Sequence, residues 1–148
     1  MSEIIPAIIP KTFAHLTEKM ALFVSTSSVL HIDICDGKFV PEASWPYKKF
    51  DEHFEKIVDE HDGFPFWQEL EIEFDLMVEK PEEVLKTWVL AGAKRIIVHM
   101  DSTEKLETIV SEYGKKEFPS PYDVELGLAM SIDTPIDAIE PFVERGIF

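Results

Sequence analysis

Five short apolar runs, each separated from the next by an amphipathic stretch, constrain this chain more than any other feature. They fall at residues 4–9, 29–35, 70–76, 95–100 and 124–130 and are rich in Ile, Val and Leu. Runs of this length and composition are expected of strands buried on both faces of a parallel sheet. Helical spacing fills the gaps. Phe13, Leu16, Met20 and Phe23 form one apolar stripe, and Val84, Leu85, Trp88 and Val89 another, with Pro81 placed for a first turn and Gly92 as a stop. Leu106, Ile109, Val110 and Tyr113 form a third, expected to open at Asp101 with Glu104 three residues on and to close at Gly114. Ile136, Ile139, Phe142 and Val143 form a fourth, with Thr134 as the expected cap and Pro135 at the first helical position. Residues 50–61 also carry helical spacing, through Phe50, Phe54, Ile57 and Val58, inside an acidic, aromatic stretch at 48–69 that reads as a helix plus a surface loop.

A β-α unit repeated five times predicts an α/β fold with a parallel sheet and helices outside it. A closed eight-stranded barrel takes about 250 residues. The 148 residues here supply five units. The expectation is one domain over 1–148, either an open α/β sheet or an incomplete TIM barrel. The terminal Gly146, Ile147 and Phe148 read as a turn leading towards a further strand.

Charge narrows the partners. Fourteen Lys and Arg against 29 Asp and Glu leave a net charge of −15, which opposes binding to nucleic acid and to anionic membrane surfaces. No apolar run approaches the ~18–20 residues of a membrane span. The N-terminus has neither a basic segment nor a small-residue cleavage site, and Cys35 is the single cysteine. A reducing, cytoplasmic setting is expected.

The second run separates its residues into two sets. Leu30, Ile32 and Ile34 are expected to face helices, and His31, Asp33 and Cys35 the opposite side. A His and an Asp on an inner face are costly unless paired or bound to a metal. One reading is a structural His–Asp pair. The other is a ligand site, since such folds bind ligands at the carboxyl ends of their strands. Asp75, His99 and Ser131 also fall at strand ends. Imidazole plus two carboxylates suits Zn²⁺, Mn²⁺ or Fe²⁺. Glu71 and Glu73 alternate with apolar neighbours and are expected to face solvent without a role, and Asp101 and Asp133 read as helix-start acids.

The stretch from Leu30 through His31, Asp33, Asp36, Gly37, Phe39 and Val40 to Pro41 resembles the second-strand signature L-H-x-D-x-M-D-G-x-F-V-P of ribulose-phosphate 3-epimerases. Ile5-Pro6-Ala7-Ile8-Ile9, Asp75-Leu76-Met77-Val78 with Pro81, Ala91-Gly92-Ala93 with His99, and Gly127-Leu128-Ala129 with Thr134-Pro135 agree in order and spacing. The resemblance covers essentially the whole chain. It implies a TIM barrel that moves the proton at C3 of a pentulose 5-phosphate, ribulose 5-phosphate in that family, with help from a divalent metal (Zn, Fe, Mn or Co). Carried over by position, Asp33 is the expected catalytic acid/base. His31, Asp33 and Asp75 are the expected metal ligands, Asp75 standing where the family has a histidine. Cys35, Met77, His99 and Ser131 are the expected substrate contacts, Cys35 replacing a methionine and Ser131 an asparagine. Ala7 stands where the family has a serine. The family's second catalytic aspartate and its phosphate loops belong to strands six to eight, beyond these five units. The expectation is therefore an epimerase-like isomerase whose five units by themselves lack the second acid/base and the phosphate site. The alternative is a non-catalytic half-barrel that self-associates. Either way a homo-oligomer is expected, because five units leave two sheet edges open.

Overall fold

The computed structural model describes residues 4–114, 124–145 and 147. Gly146 and Phe148, and with them the expected turn towards a further strand, lie outside the described residues. Five strands, β1 (Ala7–Ile8), β2 (Val29–Cys35), β3 (Glu71–Met77), β4 (Arg95–His99) and β5 (Glu125–Ala129), form one sheet in that order, and every neighbouring pair is parallel. Helices α1 (Phe13–Ala21), α2 (Glu52–Val58), α3 (Leu85–Leu90), α4 (Leu106–Tyr113) and α5 (Glu140–Val143) connect or follow the strands. This is the architecture of a partial TIM barrel. No described helix is long and apolar enough to cross a membrane.

The alternation read from the sequence sets the two faces of the sheet. Leu30, Ile32, Ile34, Phe74, Leu76, Ile96 and Val98 are all fully buried and belong to one core with the helices. Leu16 and Met20 of α1 and Trp88 of α3 are equally enclosed. Aromatic rings fill the space between β3 and the helices. Phe74 lies 4.7 Å from Trp88 and 5.3 Å from Phe64, and Trp88 is 4.8 Å from Phe54 of α2. The stretch at 48–69 thus delivers both a helix and an aromatic plug to the core. Side-chain caps start the first two helices: Thr12 accepts from the His15 N–H and Asp51 from the His53 N–H. Gly92, at φ +97°, ends the α3 segment in a conformation that a side chain would disfavour.

Three local expectations are corrected. The first strand is only two residues long, because Pro6 and Pro10 flank it and cannot donate to the ladder. Asp101 does not cap α4, which begins at Leu106 without a side-chain cap. It lies in a short 3-10 turn, Met100–Ser102, and its carboxylate accepts from the Ser131 N–H (2.9 Å) and the Thr134 hydroxyl (3.0 Å). Thr134 is thereby drawn away from the helix it was expected to cap, which begins as a 3-10 turn at Ile136–Ala138 before α5.

Similar ties run around the whole C-terminal rim of the sheet. The Trp45 N–H donates to the Pro10 carbonyl (2.8 Å), joining the loops after β1 and β2. Asp36 accepts from the Glu79 N–H (2.8 Å), joining those after β2 and β3. The Lys80 N–H donates to the Ser102 carbonyl (3.0 Å), joining those after β3 and β4, and Asp101 completes the series to β5.

Candidate active site

Strand register places the inner-face residues in level rows. Ala7, His31, Glu73, Arg95 and Glu125 stand side by side across all five strands. One step towards the C-terminal ends, Asp33 and Asp75 are partners, followed on β4 and β5 by Ile97 and Gly127. A further step on, Cys35 pairs with Met77, and His99 with Ala129.

The lower row alternates in sign. The His31 Nδ1 lies 2.5 Å from Glu73 Oε1, Arg95 Nη1 donates to Glu73 Oε2 (2.6 Å), and Arg95 Nε and Nη2 donate to Glu125 Oε2 (3.2 and 2.9 Å). The other edge of the His31 ring faces upward. Its Nε2 is 3.0 Å from Asp33 Oδ1 and 3.9 Å from Asp75 Oδ2. The hydrogen bond to Asp33 is the main cause that holds His31 protonated, its pKa raised to about 9; burial opposes this and Glu73 adds to it. Burial pushes the Glu73 carboxyl up, but His31 and Arg95 outweigh it and leave the group below its ordinary value. His99 Nε2 lies 3.0 Å from Asp75 Oδ1, and the Phe39 ring stands 5.2 Å from the His99 ring.

His31, Asp33 and Asp75 each offer one ligand atom, and these atoms lie within 4.8 Å of one another. One imidazole nitrogen and two carboxylate oxygens, all half-buried on a single face, form a donor set suited to a borderline or hard divalent ion. The residues therefore fit such an ion, and binding it would require His31 to give up a proton.

The expected substrate contacts are distributed unevenly. Cys35 and Met77 line an open cavity of about 850 Å³ at the C-terminal ends of β1 to β3, together with Pro10, Lys11, Val40 and Lys48. Asp33 and Asp75 sit one strand step below this lining. Burial, and then the Asp33 carboxylate, push the Cys35 thiol up, so it presents a neutral wall. His99 joins the cluster through Asp75. Ser131 does not join it: exposed beyond β5, it receives the Asp133 N–H on its hydroxyl (3.2 Å) and donates its own N–H to Asp101.

The expectation that Glu73 faces solvent is overturned. Glu71 is exposed, but Glu73 is 6% exposed and central to the lower row. A glutamate alternating with apolar residues reads as a wetted face, yet here the alternation marks the barrel interior. Glu73 lies two residues before Asp75, so the strand period places both on one face, and protonated His31 together with Arg95 makes its burial tolerable. Ser44 was also missed. Its buried hydroxyl accepts the Cys35 N–H (2.9 Å) and lies 3.1 Å from the Asp33 carbonyl, fixing the end of β2.

The profile of the Ribulose-phosphate 3 epimerase family matches residues 3–146. Ribulose-phosphate 3-epimerase of Schizosaccharomyces pombe is 28% identical over 148 residues, an alignment covering 97% of this chain and 58% of that protein. The proteins of the same name from Chlamydia trachomatis and Chlamydia pneumoniae are 30% and 32% identical, covering 80% and 79% of this chain and 44% of each relative. The chain thus spans about half the length of the curated relatives it matches. With a match that runs through all five strands and through the signature around Asp33, the chain belongs to the ribulose-phosphate 3-epimerase family.

Proposed function

We propose that this chain provides the proton-abstracting half of a sugar-phosphate epimerase site, acting at C3 of a pentulose 5-phosphate. The observation that carries the reading is the convergence of His31, Asp33 and Asp75 on one face of β2 and β3, just below the cavity at their C-terminal ends, in a chain of this family. Asp33 is the acid/base that takes the proton. His31, Asp33 and Asp75 hold a divalent metal (Zn, Fe, Mn or Co). When bound, such an ion stabilises negative charge on oxygens beside the carbon that loses its proton. His99 fixes the Asp75 carboxylate from its far side. Cys35 and Met77 shield the reacting carbon from water.

Asp33 and Asp75 stand side by side on one face of the sheet. Both would meet the substrate from the same side, so delivering a proton to the opposite side takes a group other than these two. Residues 1–148 act in this reading as one partial-barrel domain of a cytoplasmic enzyme. Self-association gives it a second reading, as a non-catalytic half-barrel. That reading is favoured by exposed Ile132, Ile136 and Val143 beyond β5.

Deuterium incorporation at C3 of ribulose 5-phosphate in D₂O, followed by NMR with added Zn²⁺, Mn²⁺, Fe²⁺ or Co²⁺, tests the proposal. Incorporation that disappears in Asp33→Asn is the expected result. A folded chain that catalyses no exchange with any of these ions overturns the catalytic reading. Sedimentation of the same sample then tests self-association.

A further inference from the structure

We propose that Glu73 is a positioning residue of this site, holding the Nδ1 edge of His31 so that Nε2 faces Asp33 and Asp75. The proposal rests on the reading of that cluster as a metal-assisted catalytic site, and it adds a residue that contacts neither substrate nor ion.

An imidazole can rotate, and it presents the correct nitrogen only when something holds the other one. A glutamate on a free arm would be a poor holder. Glu73 is different, because its own freedom has been removed. It is buried, one carboxylate oxygen meets His31 at 2.5 Å, and the other is taken by Arg95 at 2.6 Å. Arg95 is steadied in turn by two contacts to Glu125. Register makes this arrangement obligatory, since His31, Glu73, Arg95 and Glu125 are successive partners in one row.

The ring is held at both edges, by β3 on one side and by its own strand on the other. Glu73 meets Nδ1 at 2.5 Å and Asp33 lies 3.0 Å from Nε2, while Asp75, two residues beyond Glu73 on the same face of β3, stands 3.9 Å from Nε2. The histidine therefore sits in a slot with a fixed lower stop, and the ligand cluster inherits its geometry from a row of charges outside it.

The test compares wild type with Glu73→Gln, which keeps the size of the side chain, and with Arg95→Lys, which loosens Glu73 without touching His31. Two quantities are read for each: Co²⁺ affinity from the visible spectrum, and the NMR resonance of the proton on His31 Nδ1. Wild type is expected to show a far-downfield, slowly exchanging Nδ1 proton. Glu73→Gln is expected to lose that signature and to bind Co²⁺ about 10–100-fold more weakly. Arg95→Lys should move both quantities in the same direction by less. Circular dichroism confirms that each variant is folded, and Arg95→Lys decides the matter if Glu73→Gln is not. Unchanged Co²⁺ affinity with an unchanged Nδ1 resonance overturns the proposal. A wild type that binds no Co²⁺ instead overturns the metal-site reading. The Nδ1 resonance still judges Glu73 in that case: its loss in the variant supports the positioning role, and its persistence refutes it.

Discussion

The two faces of β2, β3 and β4 share one backbone and obey different rules. On the outer face, Leu30, Ile32, Phe74, Leu76, Ile96 and Val98 are fully buried beneath the helices. Their contribution is non-directional and follows the apolar area removed from water. On the inner face, His31, Asp33, Glu73, Asp75, Arg95 and His99 are tied into hydrogen bonds whose value depends on atom-by-atom geometry. The contrast teaches that stability and chemistry are separable here by residue parity along each strand. A substitution one position along the chain should change which property suffers.

Ranked by effect on stability, four substitutions test that separation. Phe74→Ala removes a ring packed between Phe64 and Trp88. It should cost about 3–5 kcal/mol in a urea titration while leaving Co²⁺ affinity unchanged below the transition. A parallel loss of metal binding would show that the faces are coupled. Asp33→Asn weakens one hydrogen bond to His31 and should cost about 1–3 kcal/mol, yet abolish C3 exchange. Asp36 lies at the junction of the two regimes. Burial pushes its carboxyl up, but the N–H groups of Glu79, Lys38 and Phe39 outweigh this and leave its pKa below 3.8. Its contribution is therefore complete above the unfolded value and lost as pH falls through the lowered folded one. Asp36→Ala should remove on the order of 1 kcal/mol at neutral pH and flatten the acid limb of the stability profile. Glu125→Gln breaks an ion pair that is half in solvent. It should cost about 0.2–1 kcal/mol, shrinking as salt is added.

The outer face was legible in the sequence because its signal is periodic. Leu30, Ile32 and Ile34 announce a buried side, and Phe13, Leu16 and Met20 a helix that covers one. His31, Asp33 and Asp75 were legible for the opposite reason, as polar residues where the pattern calls for apolar ones. Glu73 was not, because its meaning depends on which strand position lies beside it. His31 is 42 residues away and Arg95 is 22, and register is a property of the folded sheet. Thr134 misled in the same manner. Thr-Pro before an apolar stripe is a sound capping signal, but Asp101, 33 residues earlier, competes for the hydroxyl and wins. Local chemistry predicted what neighbours in sequence decide and missed what distant residues decide.

The ties that link successive loops along the C-terminal rim act as a seam drawn tight after the strands are in place. Each one joins loops that come together only once the strands beneath them have paired, so the rim contributes little to the barrier that the chain climbs while folding. It acts on the way down. Asp101→Ala should therefore speed unfolding in a stopped-flow denaturant jump while leaving the refolding rate nearly unchanged.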